Sequence, residues 1–297
     1  MSKDAKQEVT SQACTETTPS NVGSNIDAKV VEGFGEEWAA FDQSARSEAE
    51  LRTLFDEYFS IFPWEDLPDN AEGFDMGCGS GRFARFAAER AGTLHLVDAS
   101  AKALDVARAN TAHVDNCEYH NASVGDKALQ AQSMDFGYSL GVLHHIPDTQ
   151  AGIQACVDML KPGAPFLVYL YYAFDNRPWW FKLVWKASDL ARRVICRLPF
   201  KLRLFVTQVI AVLVYYPLAR LAKLLEKLGL KVDNLPLAAY RHKPFYDMRT
   251  DSLDRFGTRL EQRFTRAQIT DMMENAGLAD IRFREDAPFW CAVGRKK

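Results

Sequence analysis

The chain has 297 residues, 47% of them hydrophobic and 12% aromatic, enough to bury one substantial core and a small second one. A charged fraction of 25% and a net charge of -3 exclude the overall basic balance of a nucleic-acid-binding protein. The six cysteines, Cys14, Cys78, Cys117, Cys156, Cys196 and Cys291, show no Cys-x-x-Cys spacing, so they read as free thiols in a reducing compartment, with no metal site expected.

Residues 1–29 are rich in Ser, Thr, Asn, Asp and Gln and are expected to form a mobile tail, because they offer too little apolar surface to offset the entropy of ordering. They carry neither the apolar run of a secretory signal nor the acid-poor composition of a transit peptide, which points to the cytoplasm. From Phe34, a recurrence through Trp38, Phe41, Leu51, Leu54, Phe55, Tyr58 and Phe59 predicts one or two amphipathic helices. Short apolar runs then alternate with helical patterns, as in parallel strands joined by crossover helices. Strands are predicted at 72–76, 93–98, 116–121, 134–140 and 165–172, with helices at 82–91, 101–110 behind Ser100 as N-cap, and 149–160. Thr265 with Gln268 fits a capping box that opens a helix to about residue 276, and two late strands at 279–284 and 289–294 form an antiparallel pair.

Asp75-Met76-Gly77-Cys78-Gly79-Ser80-Gly81 falls at the turn from the first strand to the first helix, where an open α/β sheet holds its ligand. A dinucleotide fingerprint would need glycine at 82, which is Arg82 here. A carboxylate at Asp75 would repel a pyrophosphate and could accept from an amino group. The strand Leu94 to Val97 ends in Asp98, placed either to accept from ribose hydroxyls or to start a helix, and the glycine loop upstream favours the ribose.

The set formed by Asp75 to Gly81, Asp98, Asn121-Ala122-Ser123-Val124, Met134 to Asp148 (with Leu140-Gly141 and His144-His145-Ile146-Pro147) and Leu160-Lys161-Pro162-Gly163 resembles class I S-adenosylmethionine-dependent methyltransferases over about residues 70–173. The resemblance implies an α/β, Rossmann-like seven-stranded sheet with helices on both faces, the last strand antiparallel, and S-adenosyl-L-methionine as cofactor. It further implies that Gly77, Cys78, Gly79 and Gly81 line the methionine part beside Asp75, that Asp98 and Ala99 hold the ribose, and that Ser123 and Val124 border the adenine. Where many relatives carry an acid, this chain has Ser123, which leaves adenine to backbone groups or to Asp126.

Methyl transfer needs mainly an acceptor held in line with the sulfur, so few catalytic side chains are required. Leu140 and Gly141 are expected to face the methyl group. His144 and His145 are two readings in one: a general base for a hydroxyl acceptor, or a structural border before the helix start. Phe34 and Trp38 either cover the crevice as a lid or pack as an ordinary amphipathic helix.

Residues 177–231 depart from a minimal fold. Twelve lysines and arginines stand there against Asp189 and Glu226, interleaved with Trp179, Trp180, Phe181, Trp185 and many aliphatics. The pattern fits helices on an anionic membrane surface, and equally a cap over the pocket with its cations solvated. The run 204–219 holds Thr207, Gln208 and Pro217, which argues for dipping into a bilayer rather than spanning it. The stretch 240–251 is read as an acceptor-binding loop or a solvated linker, with Arg241, Tyr246 and Arg249 as substrate-binding candidates alongside Trp38. The predicted organisation is a tail (1–29), a core with N-terminal helices (30–174), a basic apolar helical insertion (175–250) and the C-terminal part of the core (251–297). The leading expectation is methyl transfer to a small-molecule acceptor, amphipathic or lipid-linked, in the cytoplasm with contact to the inner face of a membrane. The competing one is a membrane-peripheral binding or scaffold protein that keeps the fold without turnover, and no nucleic-acid partner is expected.

Overall fold

A computed structural model describes residues 12–13 and 25–297. The expected tail lies outside the described residues, apart from Gln12–Ala13, which pair antiparallel with Leu260–Glu261, and residues 25–29. There Asp27 already caps the first helix, accepting from the amides of Lys29 and Val30.

Seven strands form one sheet: β1 (Glu72–Met76), β2 (Thr93–Asp98), β3 (Cys117–Asn121), β4 (Phe136–Leu140), β5 (Pro165–Tyr169), β6 (Leu278–Phe283) and β7 (Cys291–Lys296). Their order is β3-β2-β1-β4-β5-β7-β6, parallel except for β7, which runs antiparallel to both β5 and β6. This is the Rossmann-like architecture expected from the alternating pattern. The predicted strands agree with the observed ones to within a few residues at each end.

Helices α1 (Ala28–Ala40), α2 (Glu48–Phe59), α3 (Ala84–Ala88) and α4 (Ala101–Asn110) precede α5 (Thr149–Met159), and α10 (Arg266–Asn275) comes late. Burial against the sheet holds both layers. Leu51, Phe55, Phe86 and Leu104 pack beneath Leu94, Leu96 and Tyr138 on one face, and Ile153, Val157, Ile269 and Met273 pack against Phe74, Val97 and Phe166 on the other. Capping fixes where the helices begin: Ser100 accepts from Ala103 N, and Thr265 and Gln268 form both halves of the expected box.

Between β5 and α10 lie α6 (Trp179–Ile195), then one continuous helix made of α7 (Phe200–Ile210), a π-helical turn at Ala211–Tyr215 and α8 (Tyr216–Lys227), and finally α9 (Phe245–Gly257). Pro217 sits just past the π turn, the kind of widened turn that lets a helix carry an interior proline. α9 corrects the reading of 240–251 as a loop. Phe245, Met248, Leu253 and Phe256 form an apolar stripe, with Met248 and Leu253 fully or nearly buried. Two cations expected in solvent are also structural. Arg192 is buried, with Nε donating to Asp189 (2.7 Å) and Nη1 to the carbonyls of Thr258 and Arg259 (3.0 Å each), and Arg203 donates to Glu36 and Gly257 O.

Candidate active site

The strand order reverses between β1 and β4, which opens a crevice at their carboxyl ends. The amides of Gly77 and Cys78 both donate to the Val97 carbonyl (2.7 and 3.1 Å), folding the glycine loop onto the end of β2. Asp98 completes the turn: Oδ2 accepts from Gly79 N (2.9 Å) and Oδ1 from Ser100 N (2.8 Å). The backbone requires glycine at both ends of this turn. Gly77 (φ +78°) and Gly79 (φ +54°) are left-handed, and a Cβ would lie 2.4 Å from Val142 Cγ2 at the first and 2.7 Å from Trp38 Nε1 at the second.

A cavity of about 750 Å³ fills this crevice, within the range of small-molecule sites. Asp75, Gly77, Cys78, Asp98, Ala99, Ser123, Val124, Leu140 and Gly141 line it, as do Trp38, His145 and Arg241. Other sequence candidates lie elsewhere. Gly79 is covered by the Trp38 indole and Gly81 packs on Ala107, so neither reaches the cavity wall. His144 is fully buried behind it, its ring 3.8 Å from that of Tyr171. Tyr246 turns toward Phe41, Arg46 and Gln43, and Arg249 donates to Gln208 Oε1 (2.5 Å), because α9 points these side chains toward α1 and α7. Asp126 is exposed and accepts from Ser123 N (2.8 Å) instead of facing the cavity. Arg241 reaches the wall but its Nε is paired with Glu226 (2.9 Å).

Electrostatics distinguish the two ends of the cavity. At the glycine loop, burial pushes Asp75 up to about 8, with the Asp98 carboxylate adding to the rise, and burial raises Asp98 as well. Under the helical insertion a second polar group gathers, which the sequence reading missed. Asp254 accepts from the Tyr171 hydroxyl and lies 3.8 Å from His145 Nε2, and Tyr215 donates to Asp251 (2.8 Å). Burial raises Asp251 and, further along, Glu37, where Asp254 adds to the effect. These acids sit on α9 and α1, far in sequence from the glycine loop, and carry no motif of their own.

His145 and His144 are separated by their surroundings. His145 Nδ1 is 2.7 Å from the Leu260 carbonyl, which can only accept, so Nδ1 carries the proton and a neutral ring leaves its lone pair on Nε2. That nitrogen is buried without a hydrogen-bond partner. His144 is held neutral by burial, which lowers its pKa well below the ordinary value, with His145 and Arg263 adding to the effect.

Residues 74–168 match the model of a methyltransferase domain family. Among similar proteins are the ubiquinone biosynthesis O-methyltransferase of Paracidovorax citrulli, 28% identical over 151 residues (48% of this chain, 62% of that one), and that of Albidiferax ferrireducens, 35% identical over 108 residues (35% and 40%). The chain thus spans less than two thirds of the length of these relatives. A solved methyltransferase of Haloferax volcanii, in complex with a methyltransferase activator, is 14% identical and covers 88% of this chain and 96% of its own, with a TM-score of 0.49. β1 to β5, the glycine loop and Asp98 all lie inside or border the matched segment, so residues 74–168 form a methyltransferase domain on a Rossmann-like sheet.

Proposed function

We propose that the protein transfers a methyl group from S-adenosylmethionine to a hydroxyl of a small amphipathic acceptor, and that its helical insertion rests on an anionic membrane surface. The observation that carries this reading is one cavity with the buried Asp75 and the half-buried Asp98 at the glycine-loop end and a roof of α6 to α9 at the other. Both carboxyls are raised, Asp75 the more deeply placed, so a cationic ligand bearing hydroxyl donors would relieve both, whereas a pyrophosphate would add to the repulsion. Gly77, Cys78 and Asp75 would hold the methionine part, Asp98 and Ala99 the ribose, and Ser123 and Val124 the adenine.

When bound, the cofactor's sulfonium makes its methyl carbon electrophilic. The chain's own groups then orient and deprotonate the acceptor. Leu140 and Gly141 leave a path to the reacting carbon. His145 Nε2 takes the hydroxyl proton, and Asp254 at 3.8 Å stabilises the imidazolium that results. Phe34, 4.9 Å from the His145 ring, and Trp38 keep water from the crevice. An oxygen acceptor is favoured by the relatives, which are O-methyltransferases by name.

The membrane part rests on the surface of the insertion. The strongly exposed large hydrophobics among the described residues run from Trp179 to Leu230, all inside it. Lys182, Lys186, Arg193, Arg197, Lys201, Lys227 and Lys231 are exposed on the same stretch, while Asp189 is buried, so its exposed charge suits anionic head groups. The helix from Phe200 to Lys227 is long and apolar enough to cross a bilayer by length and composition. However, Arg203, Thr207, Ala211, Tyr215, Ala219 and Ala222 bury one stripe along it, and Thr207 and Tyr215 bond to α9, which favours lying in the membrane plane. Val184, Val214 and Leu218 both line the cavity and are 49%, 43% and 36% exposed, so one mouth opens on the apolar surface, where an amphipathic acceptor would enter.

A labelled-methyl assay against fractionated lipids and polar metabolites, run beside flotation on phosphatidylglycerol vesicles, tests this reading. Label in an amphipathic fraction together with flotation is expected. Flotation with no turnover on any fraction would replace it with a binding or scaffold protein, and turnover without flotation would remove the membrane part.

A further inference from the structure

A second cluster of chemistry-bearing side chains lies away from the cavity, on the open face of β2 and β3. Residues 122–135, which connect β3 to β4, form no helix, and at the sheet edge Glu118 is exposed and His120 half-buried. The parallel register sets His95 opposite Glu118 and Val97 opposite His120, while Glu72 on β1 pairs with Thr93. Glu72, His95, Glu118 and His120 therefore share one face of the sheet, because registered partners project to the same side and residues two apart in a strand do likewise.

The contacts have a defined direction. His95, 6% exposed, places Nε2 2.8 Å from Glu72 Oε1. A carboxylate accepts, so Nε2 carries the proton and Nδ1 presents its lone pair outward. That lone pair meets His120 Nε2 at 3.0 Å and Glu118 Oε2 at 3.4 Å, and the three ligand atoms lie within 4.8 Å of one another. Tetrahedral zinc, with bonds of about 2.0–2.2 Å to nitrogen and oxygen, spaces its ligand atoms about 3.3–3.5 Å apart. The His95–Glu118 edge falls at that spacing, the His95–His120 edge is a few tenths of an ångström short of it, and the third has room to close because Glu118 is exposed.

We propose that His95, Glu118 and His120 form a zinc site that ties the edge strand β3 to β2. Glu72 is the positioning residue that fixes the His95 tautomer, an arrangement in which a carboxylate holds the far nitrogen of a metal-bound histidine. Water fills the fourth position on the open face. No ligand spacing betrays the site in the sequence, since His95 and His120 are 25 residues apart on separate strands. The site stands independently of methyl transfer, because it shares no residue with the cavity.

The test is titration of chelator-treated full-length protein with zinc, by calorimetry, and with cobalt(II), by visible absorption. One equivalent of zinc is expected, together with the d–d bands of four-coordinate cobalt and no thiolate charge-transfer band, which separates this site from the nearby Cys117. His120→Ala and Glu118→Gln, both at accessible positions, should weaken zinc binding at least tenfold, and Glu72→Gln about 10- to 100-fold. S-adenosylhomocysteine binding should stay unchanged in all three. No saturable zinc binding, or binding that His120→Ala leaves intact, would overturn the proposal and leave a hydrogen-bonded histidine pair. Loss of S-adenosylhomocysteine binding in the wild type would count against methyl transfer alone.

Discussion

Cofactor binding should release a proton, and Asp75 sets how much. Its carboxyl is 4% exposed and pushed up to about 8 by burial, so at pH 7 the free protein holds about 0.9 proton there. An ammonium or sulfonium placed against it favours the anion. If binding brings the pKa down by about two units, roughly 0.8 proton leaves at pH 7, and the dissociation constant weakens about 25-fold between pH 8 and pH 6. Calorimetry with S-adenosylmethionine in two buffers of different ionisation enthalpy reads the proton count directly. Asp75→Asn should abolish most of the buffer dependence, with Asp98, raised in the same direction, accounting for what remains. Stability of the free protein follows the same sign. A carboxyl raised on folding stabilises at low pH and loses that contribution as the pH climbs through about 8, so the melting temperature should fall from pH 6 to 9, and less steeply in Asp75→Asn. A buffer-independent enthalpy with flat affinity from pH 6 to 8 would refute the assignment of Asp75 to the cationic part of the ligand.

Other consequences are as direct. His145→Asn should cut turnover about 10²- to 10⁴-fold with S-adenosylhomocysteine affinity preserved, while His144→Asn should act mainly on the melting temperature, since that ring stacks on Tyr171 behind the wall. Gly77→Ala should destabilise the fold by about 1–3 kcal/mol and abolish cofactor binding, read by thermal melts and calorimetry, because the left-handed backbone and Val142 leave no room for a Cβ. Leu213→Glu with Leu224→Glu, exposed at 69% and 55%, should reduce vesicle binding without moving the melting temperature. Arg192→Met should cost about 1–3 kcal/mol in denaturant unfolding, since it leaves the carbonyls of Thr258 and Arg259 without their donor and Asp189 with Arg193 alone.

What was legible in the sequence had a local cause. β1 runs into the glycine loop, β2 is a mainly apolar run closed by Asp98, and α4 and α10 announce themselves by Ser100 and Thr265, so their bounds follow from backbone chemistry within a few residues. That Asp75, Gly77, Cys78 and Asp98 would meet at one end of the crevice was legible for the same reason, since they belong to two adjacent strand ends. The polar group at the other end was not. Asp254 reaches His145 only because α9 packs beneath the insertion, and α9 hid among the charges of Asp247, Arg249, Asp251, Asp254 and Arg255. Arg192 and Arg203 read as solvated cations because composition cannot show which lysine or arginine finds a buried carbonyl. His144 and His145 are alike as sequence and opposite in the fold, since the 3-10 turn Leu143–His145 aims one ring at the core and the other at the cavity.

On the proposed function, the cradle made by the glycine loop and Asp98 accepts a cationic, phosphate-free adenosine compound. Calorimetry of the full chain with S-adenosylhomocysteine, beside NADH as the pyrophosphate-bearing comparison, measures it most directly. Saturable binding of the first at one equivalent is predicted, weakened about 10- to 100-fold in Asp98→Ala by loss of charge-assisted hydrogen bonds to the ribose, with no binding of the second. No binding of S-adenosylhomocysteine at millimolar concentration, or preference for NADH, would contradict the account.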